Sequence, residues 1–417
     1  MFKNFKRCRG VFAIFALPLF SLAHLNGVCA AGVASASSPS YASAAPRGGG
    51  VKWYRYRHQT GMFSVPPSLA TQVRFWRDIY TKYDEGMVVF HDRDRLDIVY
   101  SCLDVSGIVK NENLTDHEKA KLKEEAIEGE LKRIQEKVHG VASSGGTVQD
   151  AEAVRLYKLA VKAGDGDIER ALQNIRSQTG VAEKFRAGIK TSGRYMAEIE
   201  KILKEEGVPP IISRLIFVES MFDLNAVSKS GAAGIWQLMP ETGRKFIRVD
   251  EVVDERLDPI AATRAAAAHL MRDFRALGNW ELAINAYNTG PQRMKAAVAQ
   301  LGTTDISRII KEFKHPGYGF ASRNFYPAFL AAIEVFENRV KYFGDIKMDP
   351  PLEFDVVTLR FPIEVPDIVS RTGIGIDVIK ELNPHIREGV LSGRLELPAG
   401  FTLRVPKGKG REIQARL

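Results

Sequence analysis

Apolar residues recur every three or four positions over most of this chain, which is the spacing of one helix face. In "SVPPSLATQVRFWRDIYTKY" they follow Pro66 and Pro67, which suit the first turn of a helix. Opposite charges stand four residues apart in "HEKAKLKEEAIEGELKRIQEKV", as on a solvated helix, and Thr115 with Glu118 matches a capping box at its start. The pattern therefore predicts a mainly α protein.

Two further helices are predicted in the second half of the chain. The first covers 256–278, with Asp258 as the N-cap, Pro259 in the first turn and Gly278 as the terminator. The second is "NWELAINAYNTGP" at 279–291. The run of alanines in the first helix indicates close packing against a neighbouring helix rather than a binding site.

One stretch departs from the helical spacing. "MVVFHDRDRLDIVYSCLDV" predicts a short strand, a charged turn and a second apolar segment. His91, Asp92 and Asp94 are residue types that bind metals, but an isolated His-Asp pair in a charged turn favours solvated surface. Cys102 is interpreted as a small buried apolar residue. Neither a metal site nor a cofactor is predicted.

A single acidic residue falls on the apolar face of the helix predicted for "VPPIISRLIFVESMF". Ile212, Leu215, Ile216 and Glu219 share one stripe, so the carboxyl group faces the core with the aliphatic side chains. Because burial penalises the charged form, such a carboxyl keeps its proton to a higher pH and suits a general acid. A structural, hydrogen-bonded glutamate is the alternative. No G-x-S-x-G surrounds Ser220, so its hydroxyl is interpreted as a positioning group and not a nucleophile.

The loop "SKSGAAGIWQLMP" follows Glu219 after a short interval. Gly231 and Gly234 allow positive φ or a close approach of backbone to a ligand. Trp236 and Gln237 supply an aromatic face and an amide, which suit a sugar ring and its N-acetyl group. Trp236 is equally compatible with a place in the core.

The helix predicted at 279–291 ends in Tyr287 and Asn288, followed by Thr289 and Gly290. An aromatic hydroxyl and an amide at a helix end indicate the wall of a site, although a Tyr-Asn helix terminus is also common without one.

Residues 1–30 have the pattern of a secretory signal, with a basic start, an apolar run broken by Pro18, and small residues for cleavage. Cys29 also allows lipoprotein processing and outer-membrane association, although Val28 does not fit the recognition pattern. The Ala/Ser/Gly/Pro-rich residues from 31 to 58 are predicted to be a disordered linker. Export to the periplasm or cell envelope is therefore expected.

The net charge is +9, and removal of the four basic residues in the signal leaves +5. That value is compatible with an anionic polymer as partner, but it lacks the concentrated basic stripe of a nucleic-acid binder. Once the signal has left, Cys102 is the one remaining cysteine, so an internal disulfide is excluded and the fold must depend on its core.

Three motifs stand in the order found in lytic transglycosylases. The chain closely resembles this family, of the SLT and membrane-bound lytic murein transglycosylase D type, over about residues 195–340. The matching motifs are Glu219-Ser220, Gly234-Ile235-Trp236-Gln237 and Ala286-Tyr287-Asn288-Thr289-Gly290.

The resemblance implies a lysozyme-like all-helical fold and cleavage of the β-1,4 bond between N-acetylmuramic acid and N-acetylglucosamine in peptidoglycan. It also implies that Glu219 is the single catalytic acid and base and that the product is a 1,6-anhydromuramoyl end. Substrate binding is assigned by the same resemblance to Ser220, Gly234, Trp236, Gln237, Tyr287, Asn288 and Tyr326.

One motif departs from the family pattern. Where members commonly have E-T-x-x-Y-V-P, this chain has "ASRNFYP" from Ala321 to Pro327. Phe325 stands at the position of the family tyrosine, and Tyr326 follows it. Either Tyr326 takes over the hydroxyl's role or that role is lost.

Two alternatives to a transglycosylase stay open from the residues alone. A lysozyme-type muramidase on the same fold would hydrolyse the same bond. A non-catalytic peptidoglycan-binding protein would keep the fold without the reaction. In either case the partner is a peptidoglycan glycan strand, and the protein is expected to be a monomer.

The C-terminal residues resemble a divergent LysM wall-binding module. Residues 365–406 predict an apolar helix, a Gly-rich turn, a second helix ending in Asn383-Pro384, and a final strand, "FTLRVP". A small packing subdomain is the alternative. The predicted domains are a signal peptide (1–30), a linker (31–58), a mostly helical N-terminal domain (59–194), the lysozyme-like domain (195–345) and the LysM-like domain (346–417).

Overall fold

The structure is a computed structural model that describes residues 62–144 and 148–417. The predicted signal peptide, the linker and Cys29 lie outside these residues. The elements of the first half are α1 (Ala70–Thr81), β1 (Met87–Asp92), β2 (Val99–Asp104), α2 (Ser106–Val109), α3 (Asp116–Ser143), α4 (Ala151–Gly164), α5 (Ile168–Gln173), β3 (Ile175–Thr179), α6 (Ala182–Ser192) and α7 (Met196–Glu205).

The second half continues with helices and closes with a small sheet. Its helices are α8 (Leu215–Glu219), α9 (Pro240–Gly243), α10 (Pro259–Leu277), α11 (Trp280–Thr289), α12 (Pro291–Leu301), α13 (Ile306–Glu312), α14 (Phe320–Glu337) and α15 (Arg339–Phe343). The last part holds β4 (Phe354–Thr358), α16 (Val365–Thr372), α17 (Ile376–Leu382), α18 (Glu388–Leu391), β5 (Thr402–Pro406) and α19 (Gly410–Arg416). Short 3₁₀ segments occupy Pro67–Leu69, Pro210–Arg214 and Glu255–Leu257.

The predicted helix ends are confirmed where capping residues defined them. The Thr115 hydroxyl accepts from the Glu118 backbone N–H, and the Glu118 carboxylate accepts from the Thr115 backbone N–H. At α10 the Asp258 carboxylate accepts from two backbone N–H groups of the first turn, and Gly278 ends the helix at φ 83°. The prediction of a mainly α protein is also confirmed.

The largest hydrophobic core joins α1 to helices of the second half. α1 packs along α14, where the Trp76 indole N–H donates to the Asn324 side chain at 3.1 Å. The Tyr80 ring centroid lies 5.0 Å from that of Phe185 on α6, and Phe185 stacks at 4.6 Å on Phe217 of α8. Side chains from the predicted N-terminal and lysozyme-like domains therefore share one core.

A second core lies beneath a three-stranded antiparallel sheet in the order β2-β1-β3. The central strand pairs Val89 with Cys102 on one side and Gln178 on the other. Helices α3 and α4 pack against β2 and supply the buried Ile134 and Leu156. The predicted short strand is confirmed as β1, and the second apolar segment forms β2.

Two side-chain predictions in this sheet are wrong. Cys102 is exposed, because β2 presents that position to solvent. His91 and Asp92 are fully buried, since the His91 ring packs against Phe75 at 4.6 Å and Phe320 at 5.6 Å, whereas Asp94 is exposed.

The C-terminal part has its own core between the antiparallel strands β4 and β5 and the helices between and after them. Val357 pairs with Leu403 across the two strands. Three short helices, α16 to α18, lie between the strands, where the LysM prediction has two, and the LysM assignment stays a prediction. This module contacts the loop before α10: the Asp254 N–H donates to the His385 carbonyl at 2.8 Å, and Val253 bridges to Ile386.

None of the helices in residues 62–144 and 148–417 is both long and apolar enough to cross a bilayer.

Candidate active site

Glu219 is the last residue of the buried helix α8. A 3₁₀ turn over Pro210–Arg214 leads into the helix, and Ile212, Leu215 and Ile216 are completely buried. Glu219 lies at the end of this apolar stripe and is partly exposed where the helix opens into a cavity. The local sequence therefore places one carboxyl group at the border between core and solvent, as the spacing predicted.

The backbone immediately after Glu219 is strained. Met221 has φ 52° and Phe222 has φ 62°, a left-handed region that side chains with a Cβ rarely adopt. Helix α6 packs tightly here, because a Cβ on Gly188 would lie 2.2 Å from the Met221 carbonyl oxygen. Two such residues in a row persist only where the surrounding structure holds them, and this is common at functional sites.

The cavity beside Glu219 has a volume of about 650 Å³. One wall is the continuous segment 219–228 together with Gln237. The opposite wall is helix α6, which contributes Lys184, Ala187, Gly188 and Thr191. The size is within the range of small-molecule and sugar sites.

Burial raises the pKa of the Glu219 carboxyl from 4.5 to about 8. Among the described residues no donor forms a hydrogen bond with this carboxyl, so nothing offsets the cost of its charge. Burial, and then the negative charge of Glu219, raise the pKa of the phenols of Tyr80 on α1 and Tyr287 on α11. Glu219 is therefore a carboxylic acid that keeps its proton at neutral pH.

The loop after Glu219 is held by its own small and polar residues. The Ser220 hydroxyl donates to backbone carbonyls, with Ile235 O at 3.0 Å, and not to Glu219. Gly234 has φ 74°, and a Cβ there would lie 1.8 Å from the Arg256 carbonyl oxygen, so glycine is required for backbone packing. The Gln237 side-chain N–H₂ donates to Ala226 O and Gly234 O, which leaves its carbonyl oxygen for a ligand.

Trp236 does not offer a face to a sugar, and that prediction is corrected. Its side chain is 0% exposed, and the indole N–H donates to the Thr263 hydroxyl at 2.9 Å. The backbone carbonyl of Trp236 accepts from the Tyr287 hydroxyl at 2.7 Å. Trp236 thus belongs to the core behind the site, the alternative that the sequence left open, and it positions Tyr287 through its backbone.

Two other predicted site residues lie away from the cavity. Asn288 is partly exposed and accepts from the Ser322 hydroxyl at 3.3 Å, so it joins α11 to α14. Tyr326 is 2% exposed inside α14, where burial and then Glu281, not Glu219, raise the pKa of its phenol. Tyr326 is not among the cavity-lining residues, and its hydroxyl forms no hydrogen bond with Glu219.

The structure also brings residues to the site that the sequence analysis missed. Lys184 and Thr191 line the cavity from α6, and the charge of Glu219, after burial, raises the pKa of the Tyr80 phenol on α1. These helices precede Glu219 by more than 25 residues and carry no motif. Only their packing on α8 and α14 reveals them.

No group of three or more His, Cys, Asp or Glu side chains in the described parts of the chain is arranged to hold a metal ion.

The site lies in the helical part of the chain, at the end of the buried helix α8. Residues 196–310 match the family model described as "Transglycosylase SLT domain". These residues are an SLT domain, as the motifs predicted.

Curated relatives agree with this assignment. "Membrane-bound lytic murein transglycosylase D" from each of two strains of Escherichia coli is 28% identical over 200 residues, which cover 47% of this chain and 44% of the relative. A "Putative tributyltin chloride resistance protein" from an Alteromonas species is 31% identical over 111 residues, or 26% of this chain and 53% of that protein. The chain thus spans about half the length of the curated relatives it matches.

A solved structure of an inactive variant of the lytic transglycosylase Slt from Pseudomonas aeruginosa is also similar. The superposition covers 54% of this chain and 38% of the Slt chain, with 19% sequence identity. The TM-score is 0.31, which is too low for a comparison of detail.

The raised pKa of Glu219 predicts that its charge destabilises the fold. Between pH 4.5 and about 8 the folded protein holds a proton that the unfolded chain has lost, so stability falls as pH rises. We expect Glu219→Gln, which has no charge, to become more stable than the wild type across this window, by up to about 1.4 kcal/mol per pH unit.

The measurement is the free energy of unfolding of both proteins from pH 4 to 9. The two curves should coincide below pH 4.5 and separate above it. A difference that stays constant with pH would show that Glu219 ionises normally in the folded protein.

Proposed function

We propose that this chain is a peptidoglycan lytic transglycosylase. It cleaves the β-1,4 bond between N-acetylmuramic acid and N-acetylglucosamine and leaves a 1,6-anhydromuramoyl end. The observation that carries this proposal is the single desolvated carboxyl of Glu219 at the cavity. The SLT domain and the murein transglycosylase relatives support it.

In the first step the Glu219 carboxyl donates its proton to the glycosidic oxygen, and the bond from that oxygen to C1 of the muramoyl residue breaks. A pKa of about 8 keeps the carboxyl protonated at neutral pH, which a general acid requires. N-acetylglucosamine leaves with the proton, and C1 becomes electron-deficient. The carboxylate now carries a charge in a desolvated position.

In the second step the same carboxylate removes the proton of the muramoyl C6 hydroxyl. The C6 oxygen bonds to C1, and the ring closes into the 1,6-anhydro sugar. Glu219 regains its proton and no water is consumed. Desolvation makes the carboxylate a stronger base than an ordinary glutamate, so one group serves both steps where most glycosidases use two carboxylates.

Asp223 is the other acidic residue that lines the cavity. It is exposed in a turn, and its carboxylate accepts from the Asn225 N–H at 2.9 Å. This placement supports Glu219 as the sole acid and base.

The substrate contacts proposed are Ser220 and Gln237, with the glycan strand lying in the cavity between α6 and the 219–228 loop. Tyr287 does not line this cavity, and its hydroxyl donates to the Trp236 carbonyl, so it supports the site from behind. The C-terminal module, if it is a LysM domain, adds a second contact with the wall. The protein acts in the cell envelope, consistent with the membrane-bound relatives.

Product analysis tests the reaction. Purified sacculi are digested with the chain, and the released muropeptides are analysed by mass spectrometry, with Glu219→Gln as the matched control. We expect anhydromuramoyl ends, each lighter by one water than a reducing end. Reducing ends would identify a muramidase, and binding to sacculi without release would identify a non-catalytic protein.

A further inference from the structure

Helix α6 forms the wall of the cavity opposite the 219–228 segment, and it lines that wall with one of its faces. The four lining residues are spaced as side chains that lie one above another on a helix: Lys184, Ala187, Gly188 and Thr191. The Glu219 carboxyl lines the same cavity. A molecule that occupies the space beside Glu219 is therefore bordered by this face of α6.

The middle of this face is small and closely packed. A Cβ on Gly188 would lie 2.2 Å from the Met221 carbonyl oxygen and 3.2 Å from the Phe217 ring, so α6 already touches the turn that follows α8. The neighbouring Phe185 is 0% exposed and stacks on Phe217 with ring centroids 4.6 Å apart. These contacts fix α6 against the helix that ends in Glu219, and they fix the wall of the cavity with it.

Lys184 is the one cationic side chain among the described residues that line the cavity. Its ammonium pairs with the Glu85 carboxylate at 3.1 Å, and both side chains are 43% exposed. Glu85 precedes β1 and does not line the cavity. An ion pair this exposed contributes little, because water solvates both charges, so the ammonium can exchange Glu85 for another carboxylate at small cost.

The opposite wall carries no positive charge among the described residues. Glu219 keeps its proton at neutral pH, because burial raises its pKa to about 8. Asp223 is exposed in its turn, where its carboxylate accepts from the Asn225 N–H at 2.9 Å. An anionic group on a bound molecule is therefore repelled by Asp223 and attracted to Lys184, on the α6 side of the cavity.

The glycan strand of the proposed substrate carries negative charge in only one kind of place. Both sugar rings and their N-acetyl groups are neutral. The muramoyl residue also bears a lactyl ether, which ends either in its own carboxylate or in a peptide stem that has carboxylates further along. A lysine ammonium is a compact charge with three rotatable donors, which suits a carboxylate on such a flexible substituent.

We propose that Lys184 forms a subsite for a carboxylate carried by the muramoyl substituent, and that this subsite favours muramoyl strands over neutral polymers of the same linkage. The inference rests on the proposed function. The ammonium leaves Glu85 when the strand binds and forms a charge-assisted hydrogen bond with the carboxylate. Lys184 acts on the substituent and leaves the reacting atoms to Glu219.

The test compares Lys184→Gln with the wild type on three soluble glycan strands of equal length. The first carries peptide stems, the second has lost its stems to an amidase and keeps bare lactyl carboxylates, and the third has those carboxylates converted to neutral methylamides. We expect KM to rise about three- to fivefold where the recognised carboxylate is present, with kcat nearly unchanged, because Lys184 contributes binding alone. The neutral strand should show no change. A rise on the first strand identifies a stem carboxylate, and a rise on the second identifies the lactyl carboxylate.

Glu85→Gln should have the opposite effect, and this separates recognition from a structural role. Without its partner in the protein, the Lys184 ammonium is free for the strand, so KM on the recognised strand should fall about two- to threefold. If the ion pair only held α6 in place, both variants would break the same contact and raise KM on all three strands. That outcome would overturn the proposal, as would a rise in Lys184→Gln that is equal on charged and neutral strands.

Lys190→Gln is the matched control. Lys190 lies on the same helix, pairs with Asp349 at 3.8 Å and does not line the cavity. Its replacement should leave KM unchanged on every strand. If Lys184→Gln behaves like Lys190→Gln, Lys184 does not bind the substrate.

A binding measurement keeps this inference separate from the proposed reaction. In a Glu219→Gln background the Kd for each strand is measured without turnover, and adding Lys184→Gln should weaken binding to the recognised strand by about three- to fivefold. If the wild type releases no muropeptides from any strand, the proposed reaction is wrong, while the binding result still decides the subsite. If turnover is normal but binding does not depend on the carboxylate, the subsite is wrong and the reaction stands.

Discussion

Replacing Glu219 by glutamine is expected to lower the rate of glycan cleavage by about 10²- to 10⁴-fold, the range for loss of a general acid. Glutamine keeps the size and the apolar surroundings of the side chain but has no proton to donate and cannot accept one. Because one carboxyl serves both proposed steps, neither step has a substitute. The measurement is the initial rate of muropeptide release from purified sacculi, at equal amounts of bound protein.

Asp223→Asn separates this mechanism from one with two carboxylates. Asp223 is the second acid of the cavity, and its loss should reduce the rate far less than the loss of Glu219. Equal losses in the two variants would indicate a pair of catalytic carboxylates. Wild-type rates in Glu219→Gln would place the catalytic acid elsewhere.

The second large effect is expected at Asp258, where the C-terminal module meets α10. The Asp258 carboxylate caps α10 and pairs with Arg404 at 2.7 Å and His385 at 3.2 Å. Burial alone would raise the pKa of Asp258, but the contacts with His385 and Arg404 outweigh it and lower that pKa to about 2. The Asp258 carboxylate is 2% exposed, so its removal leaves the largely buried Arg404 guanidinium without this ion-pair partner.

We expect Asp258→Asn to lower the free energy of unfolding by about 3–5 kcal/mol, the cost of breaking a buried ion pair from one side. Asparagine still caps a helix, so Asp258→Ala should cost about 1 kcal/mol more. Denaturant unfolding measures both, with Glu412→Gln as control. Glu412 pairs with Arg416 on the exposed face of the same module, where a pair contributes about 0–1 kcal/mol. A loss in Asp258→Asn no greater than in this control would show that the ion pair does not hold the module.

The helix ends and the buried helix faces could be predicted because they depend on interactions between residues close in sequence. Helix α10 begins where the Asp258 side chain accepts hydrogen bonds from free backbone N–H groups, and it ends where Gly278 adopts a positive φ. Neither feature depends on the rest of the chain. The stripe ending at Glu219 is also local, since its aliphatic neighbours sit one helical turn apart. A 3₁₀ start at Pro210–Arg214 shortened the helix without changing which face is buried.

The site itself was predicted less completely, because its composition depends on contacts distant in sequence. From the sequence, Trp236 beside Gln237 is equally compatible with a sugar-binding site and with a place in the core. In the structure the Trp236 indole N–H donates to the Thr263 hydroxyl, which holds the ring in the core. Tyr326 is buried within α14, outside the cavity lining, and Glu281 contributes to the raised pKa of its phenol. Lys184 and Thr191 carry no motif, and only the fold of α6 against the 219–228 loop brings them to the cavity.

The sheet β2-β1-β3 has the topology of a domain inserted into another. The chain leaves the helical core before Met87 and returns after Gly180, and these two residues are joined by a backbone hydrogen bond of 2.9 Å. A segment with adjoining ends and its own core can be gained or lost with little disturbance to its host. The main helical core is therefore built from two separate stretches of the chain, α1 and the helices from α6 to α15, and the sheet with α3 and α4 lies between them in sequence.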